Sequence, residues 1–415
     1  MLPASAPVAD AMPNLNYTAM RIAVVTETYP PEINGVANTM RQLVSGLGER
    51  GHQVLLVRPR QASDRRGRAP RGHFLVPGLP IPGYRGLRFG LPVYWRLRHL
   101  WLRLRPDVLY VATQGPLGHA ALNAALRASI PVITGFHTQF HQYSRHYGLG
   151  LLTRPIVNTL KNFHNRSDAT LVPTTTLRSQ LNEAGFRNVH LFSRGVDTKL
   201  FDPARRSDAL RRQWGCGPDS IVALYVGRIA AEKNIDLALA TMDALTADFD
   251  DVRCVLVGDG PEHARLARTH PRCRFVGAKV GEELAAHYAS GDLFLFPSLT
   301  ETFGNVVTEA MASGLAVNAF DYAAAHEHIR HASNGLLSPF GDNRTFLEQA
   351  LAAAATPQRL RAMGAAARRT AESLSWPQVI ATVEERLMEV LRESRATAAE
   401  RKLGQSGPTP SRNGA

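Results

Sequence analysis

Residues 20–59 read "MRIAVVTETYPPEINGVANTMRQLVSGLGERGHQVLLVRP". The unbroken apolar run 22–25 has the character of a parallel strand covered on both faces. A turn-rich loop follows it. Gly35 and Asn38 then open a helix that ends at the glycines 48–51, and "HQVLLV" (52–57) is the next strand. The same order returns in "PDVLYVATQGPLGHAALNAALRASIPVITGFHT" (106–138) and in "ATLVPTTTLRSQLNEAGFRNVHLF" (169–192). Repeated strand–helix–strand units imply a doubly wound α/β sheet, with ligand sites at the carboxyl ends of its strands.

"SRGVDTKLFDPARRSDALRRQWG" (193–215) breaks the pattern with turn formers and charges, and a domain junction is expected there. A second strand–helix series starts at "SIVALYVGRIAAEKN" (220–234), runs through "VRCVLVGDGPEHARLARTHPRCRFVG" (252–277) and reaches "LAVNAF" (315–320). Two Rossmann-like domains facing a cleft result, which suits 415 residues, more than one core normally supports. The expected divisions are a flexible leader 1–19, an N-terminal domain 20–196, a C-terminal domain 197–374, an amphipathic helix 375–394 and a disordered tail 395–415.

No stretch approaches the ~20 apolar residues of a membrane span, and the leader lacks the basic start and apolar run of a secretion signal. Three cysteines at wide spacing (Cys216, Cys254, Cys273) argue against a disulfide framework or a zinc site and fit the reducing cytosol. The net charge of +13 calls for a polyanionic partner. Much of it lies between Arg58 and Arg105, where twelve arginines face one acid, Asp64.

Chemistry gathers at strand ends of the second series. In "LYVGRIAAEKN" (224–234) Arg228 follows a buried strand and Lys233 stands in the loop or helix start beyond it. Two cations there suit a diphosphate. "GDLFLFPS" (291–298) is a strand, so Glu301 falls in the loop after it and a helix starts near Gly304. The amides of Phe303, Gly304 and Asn305 then lack intrahelical partners, and such an end attracts phosphate. Gly304 lets a ligand approach closely. Glu309, one turn past Asn305, leans back toward the same place and can accept two hydrogen bonds from a ribose diol. Singly, each feature is an ordinary solvated charge or cap. Together they describe a site for a nucleotide diphosphate.

"ETFGNVVTEAMASG" (301–314), with "VGRIAAEKN" (226–234), "VGDGP" (257–261) and "SRGVDTKLF" (193–201), resembles the family-4 retaining glycosyltransferases, which have the GT-B fold. The resemblance runs from Met20 to about Arg395. It implies that Glu301 meets the transferred sugar, Glu309 the ribose, and Arg228 with Lys233 the donor diphosphate. "TETYPPEINGVANTM" (26–40) resembles the loop where Gly35 would approach the donor phosphate, and "GFHTQFHQYSRHYG" (135–148) the segment whose histidine, here His137, contacts the donor sugar. His137, Glu301, Arg228 and Lys233 are thus the expected catalytic set. The C-terminal helix is expected to cross back to the N-terminal domain. "PGLPIPGYRGLRFGLP" (77–92) and "PDVLYVATQGPLGHAAL" (106–122) look like the branch containing sulfoquinovosyl-diacylglycerol synthases and glycolipid α-mannosyltransferases. In "VNAFDYAAAHEHI" (317–329) the chain departs from that family, with Ala323, Ala324 and Ala325 where a glycine pair is usual and Asn318 where a small or apolar residue is. The added atoms are expected to narrow the space beside the donor.

His137, His141, His146 and His164 do not have zinc spacing. The one Asp-x-Asp, Asp248 to Asp250, reads as a turn at the wrong end of the sheet. No metal and no cofactor is therefore expected. Arg228, Lys233 and helix amides must meet the leaving-group charge, and the transition state should have oxocarbenium character. The resemblance favours same-face attack, with the departing phosphate taking the acceptor's proton. The expected activity is transfer of a mannosyl- or glucosyl-type hexose from a GDP- or UDP-sugar to a glycerolipid or glycolipid at the cytoplasmic membrane face. A soluble GT-B transferase acting on a sugar or polysaccharide, and a non-enzymatic polyanion binder, remain alternatives. The basic segment carries no nucleic-acid module, so no nucleic-acid partner is expected.

"VYWRLRHLWLRLR" (93–105) reads as a helix at about 100° per residue. Val93, Leu97, Leu100, Trp101 and Leu104 share the face that packs on the sheet. Trp95 and Leu102 project outward, flanked by Arg96 and Arg103. With "RPRQASDRRGRAPRG" (58–72) beside it, this face suits an anionic membrane surface.

Overall fold

The computed structural model describes residues 19–32, 34–64, 69–80, 88–137, 153–301 and 303–405. The expected leader, apart from its last residue, lies outside them. So do Arg65, Arg66, Arg68 and Arg85 of the basic run, together with His141 and His146.

Two parallel sheets form the protein. The first contains β1 (Arg21–Val25), β2 (Gln53–Pro59) and β3 (His73–Val76), followed after a small antiparallel hairpin, β4 (Gly78–Pro80) and β5 (Arg88–Gly90), by β6 (Val108–Val111), β7 (Val132–Gly135), β8 (Ala169–Val172) and β9 (Val189–Leu191). Its order is β3-β2-β1-β6-β7-β8-β9. The second holds β10 (Ile221–Val226), β11 (Val252–Val257), β12 (Cys273–Phe275), β13 (Leu293–Phe296), β14 (Ala316–Phe320) and β15 (Leu336–Ser338) in the order β12-β11-β10-β13-β14-β15. The chain first builds outward to one side of β1 or β10, then restarts on the other. Each sheet thus has a reversal point, between β1 and β6 and between β10 and β13, where the following loops part and leave a crevice.

Strands buried on both faces give each sheet two cores. Ala23 and Val25 of β1 pack with Leu97, Leu100 and Trp101 of the helix Tyr94–Leu104. Ile22 and Val24 face the other way, toward Met40, Leu43 and Leu47 of the helix Gly35–Glu49. The long helix Trp376–Gln405 covers that second face through Trp376, Ile380, Val383, Leu387 and Val390, a stripe of three- and four-residue steps. The C-terminal helix therefore completes the N-terminal core, as the fold implied. It also runs past its expected end at 394, because polar residues after Arg395 can continue a solvated helix; residues 406–415 are outside the described ones. Inside this packing Glu384 is 3 % exposed and accepts hydrogen bonds from Arg50 Nε at 2.5 Å and His52 Nε2 at 2.7 Å. His52 Nδ1 accepts the Met20 amide, which fixes the proton on Nε2.

The two passages of chain between the sheets lie side by side. The Val196 amide donates to the Leu374 carbonyl at 2.9 Å, and Val196 bridges Ser375 in parallel fashion. A Cβ on Gly195 would stand 2.7 Å from the Trp376 ring, so only glycine lets the strands meet.

Three further expectations change. Arg58 is not a surface cation: it is 3 % exposed and its guanidinium forks onto Asp64, both bonds 2.7 Å. Leu104 does not join the sheet-facing side of its helix and is 37 % exposed, because the helix stops there and Arg105 turns left-handed. Asn318 does not narrow the donor side. Strand alternation turns it toward the helix Asn343–Ala354, where its amide donates to the Phe346 carbonyl at 2.8 Å.

Candidate active site

At the β10/β13 reversal point the sequence places its charges as expected. After β10, Ala231–Lys233 forms one 3-10 turn, ended by left-handed Asn234. The turn carries Lys233 across to the loop after β13. There Lys233 Nζ donates to Glu301 Oε1 at 2.5 Å and to the Thr300 carbonyl at 3.0 Å. Ser298 Oγ donates to the same Glu301 oxygen at 2.9 Å, and the Tyr322 hydroxyl to the Glu301 carbonyl at 2.9 Å. Glu301 is therefore held at its carboxylate Oε1 and at its backbone carbonyl. Arg228 lies at the rim, 64 % exposed, paired at 3.0 Å with Glu232, a contact of little energetic weight that a phosphate can displace.

Gly304 takes φ 92° and precedes the helix Asn305–Ala312. An L-residue there would be strained, and glycine leaves the first amides open. Phe303 is a core residue, 1 % exposed, whose carbonyl accepts the Ala324 amide at 2.7 Å. Ala323 itself has φ 53°, which explains why glycine is usual at this bend, and Ala324 packs near Gly304. Glu309, one turn on, accepts the Tyr288 hydroxyl at 3.0 Å. It is mostly surrounded by protein, and that burial pushes its carboxyl up to about 7, with the Tyr288 hydrogen bond opposing. Asp248 ends a helix and Asp250 stands in the turn before β11, at the far end of the sheet.

The N-terminal sheet contributes from across the cleft. His137 follows β7, is 6 % exposed, and its Nε2 lies 3.1 Å from the Tyr110 hydroxyl. Burial, aided by the nearby Arg194 charge, holds its pKa down to about 3, so it is a neutral imidazole. Its Nδ1 has no hydrogen-bond partner among the described residues. Gly35 starts its helix behind the Asn34 cap, and a Cβ on it would stand 2.9 Å from Arg194 Nη1 and 3.5 Å from Asn305 Nδ2. Gly35, His137, Asn305 and Phe303 thus meet around one residue that sequence reasoning passed over, Arg194. Its Nη1 reaches Asn305 Oδ1 at 3.4 Å and its guanidinium carbon stands 5.8 Å from the Phe303 ring centroid. In the sequence it is one cation in a turn-rich junction, and nothing local marks it. Glu27 was missed likewise. Its carboxylate accepts the Leu117 amide at 3.0 Å at the start of the helix Pro116–Arg127, and burial pushes it to about 7.

On the helix Tyr94–Leu104, Trp95 is 74 % and Leu102 54 % exposed, with Arg96 and Arg103 exposed beside them. A cavity of about 460 Å³ opens between this helix and Pro116–Arg127, lined by Pro92, Tyr94, Gly115, Pro116 and His119. No helix among the described residues is long and apolar enough to cross a membrane.

Residues 33–200 match the model of Glycosyltransferase Family 4, and residues 220–356 that of Glycosyl transferases group 1. A GDP-mannose-dependent alpha-mannosyltransferase of Mycobacterium tuberculosis (strain CDC 1551 / Oshkosh) is 36% identical over 365 residues, 87% of this chain and 94% of that protein. An alpha-monoglucosyldiacylglycerol synthase of Streptococcus pneumoniae (strain ATCC BAA-255 / R6) is 26% identical over 311 residues, 72% of this chain and 70% of that one. Among solved structures, the sucrose-phosphate synthase from Thermosynechococcus elongatus superimposes with a TM-score of 0.73 at 18% identity, over 90% of this chain and 99% of that one. Two open parallel sheets, a helix returning to the first, and a mannosyltransferase relative matched across 94% of its length lead to one assignment: the chain belongs to the family-4 glycosyltransferases of GT-B fold and is a hexosyltransferase.

Proposed function

We propose that this enzyme moves a mannosyl- or glucosyl-type hexosyl unit from a GDP- or UDP-sugar to a glycerolipid or glycolipid at the cytoplasmic face of the membrane, with retention and without a metal. The observation that carries the donor half is the Lys233–Glu301 pair, formed across the β10/β13 crevice beside the open helix end at Gly304. The diphosphate would lie over that helix end, drawing Arg228 from Glu232 and Lys233 from Glu301. Glu301 would then face the sugar hydroxyls and Glu309 the ribose diol. In the transfer the bond from C1 to the distal phosphate breaks and a bond from the acceptor oxygen to C1 forms on the same face. The acceptor's proton passes to the departing phosphate. Neutral His137 would hydrogen-bond the sugar without adding charge.

The acceptor half rests on Trp95 and Leu102, apolar groups flanked by Arg96 and Arg103 beside the cavity at Tyr94. Such a face suits the lipid–water boundary. The mannosyl and diacylglycerol names of the relatives support the same pairing. The test incubates the purified protein with GDP-mannose or UDP-glucose and with diacylglycerol or a glucosylated or mannosylated lipid in mixed vesicles, with and without EDTA. An α-linked lipid product that forms in EDTA is expected. A β-linked product, a water-soluble product only, or turnover that EDTA abolishes and magnesium restores would each overturn the corresponding part.

A further inference from the structure

Arg194 is 5 % exposed, and its Nε and Nη2 have no hydrogen-bond partner among the described residues. A buried guanidinium left in this state is destabilising unless an anion arrives to share it. The hydrogen bond it makes among the described residues, 3.4 Å from Nη1 to Asn305 Oδ1, is long and is made to a neutral amide. The Phe303 ring stands beside the guanidinium, and Gly35 leaves the room a side chain would otherwise take from Nη1. The surroundings thus seat a cation that no carboxylate among the described residues pairs with directly, Glu301 acting on it only from a distance.

We infer that Arg194 is a third cation for the donor diphosphate, reaching the distal, sugar-bearing phosphate from the N-terminal side of the cleft while Arg228 and Lys233 reach the diphosphate from the C-terminal side. This rests on the donor reading above. The location specifies the phosphate. Arg194 touches Asn305 at the open helix start, and the acid that acts on it is Glu301, at the sugar end of the site, rather than Glu309. Burial lowers its pKa only to about 10, so it stays charged at neutral pH. As the bond from C1 to the distal phosphate breaks, negative charge grows on that phosphate. A fixed, desolvated guanidinium then stabilises the leaving group without reorganising. Because the residue precedes the first passage between the sheets yet contacts the second sheet's helix, diphosphate binding would also draw the two halves of the cleft together.

Calorimetry with GDP, UDP and the corresponding monophosphates tests this on the parent, Arg194→Met and Arg194→Lys. Arg194→Met should lose about 10- to 100-fold in affinity for the diphosphate, the range for hydrogen bonds to a charged group. Its monophosphate affinity should stay within about twofold of the parent's, and Arg194→Lys should recover part of the loss. Thermal melts guard against misfolding. Removing an unpaired buried charge should raise the melting temperature of the ligand-free protein and shrink the rise that the diphosphate induces. A merely structural arginine would lower the first and leave the second. Diphosphate affinity unchanged in Arg194→Met, or an equal loss for monophosphate, overturns the assignment while leaving the donor site standing. A parent protein that binds neither diphosphate overturns the donor reading as well.

Discussion

Thr175 and Glu327 stand on helices of different domains and meet on one oxygen: the Thr175 amide and hydroxyl both donate to Glu327 Oε1, at 2.7 and 2.6 Å. Thr175 is the first residue of the helix Thr175–Glu183, so the carboxylate also lies at the positive end of that helix. The contact joins the two halves of the cleft apart from their covalent passages. Hydrogen bonds to a charged acceptor contribute about 1.5–3 kcal/mol each. Glu327→Ala should therefore shift the ligand-free protein toward an open form with a larger radius of gyration in X-ray scattering. A scattering curve superimposable on the parent's would show that the contact holds nothing.

Glu309 gives a prediction with a pH sign. Its carboxyl sits at about 7 in the folded protein against an ordinary 4.5. The folded state therefore keeps a proton that the unfolded chain has released, and this site's contribution to stability falls as pH rises from about 4.5 to about 7. In the proposed donor site Glu309 accepts from the ribose as a carboxylate, so affinity for GDP-mannose or UDP-glucose should rise over the upper part of the same window. Glu309→Gln should melt no lower than the parent above neutrality, yet bind donor more weakly by about 1–3 kcal/mol. Calorimetry at about pH 6 and about pH 8 measures both trends, and unchanged donor affinity in Glu309→Gln would remove the ribose role.

The exposed pair on the helix Tyr94–Leu104 predicts sedimentation with anionic vesicles, increasing with anionic lipid and decreasing with salt. Each cation near such a surface contributes about 1 kcal/mol. Replacing Trp95, Arg96 and Arg103 together by serine should therefore cut binding by at least about tenfold. All three side chains are exposed, so the fold should survive. A triple variant that sediments like the parent would take this helix off the membrane.

What could be read from the sequence is what local chemistry encodes. Strands such as 221–226 are apolar without interruption because both faces are covered, and that pattern is visible residue by residue. Glu301, Lys233 and Gly304 were legible because strand ends and helix starts place them. Arg194 was not, because its character comes from burial between two domains far apart in sequence. Arg58 misled for the reverse reason: a run of arginines looks solvated until Asp64 folds back onto one of them. Asn318 misled because a strand of small and apolar residues conceals which face each one takes until the helix Asn343–Ala354 is in place.

The helix Trp376–Gln405 closes the core of a sheet whose last strand ended at Leu191. During synthesis, all seven strands of that sheet leave the ribosome before the whole of the second domain and the helix that covers them. Until then Ile22, Leu43 and Leu47 have no Ile380 or Leu387 to pack against. Domains ordinarily fold in the order they are made. Here the first to be made is the last to be finished, and a nascent chain carries an unsealed apolar face for most of its elongation. A gene split at the junction near Val196 would separate that face from its cover, so the two halves of the cleft are one folding unit.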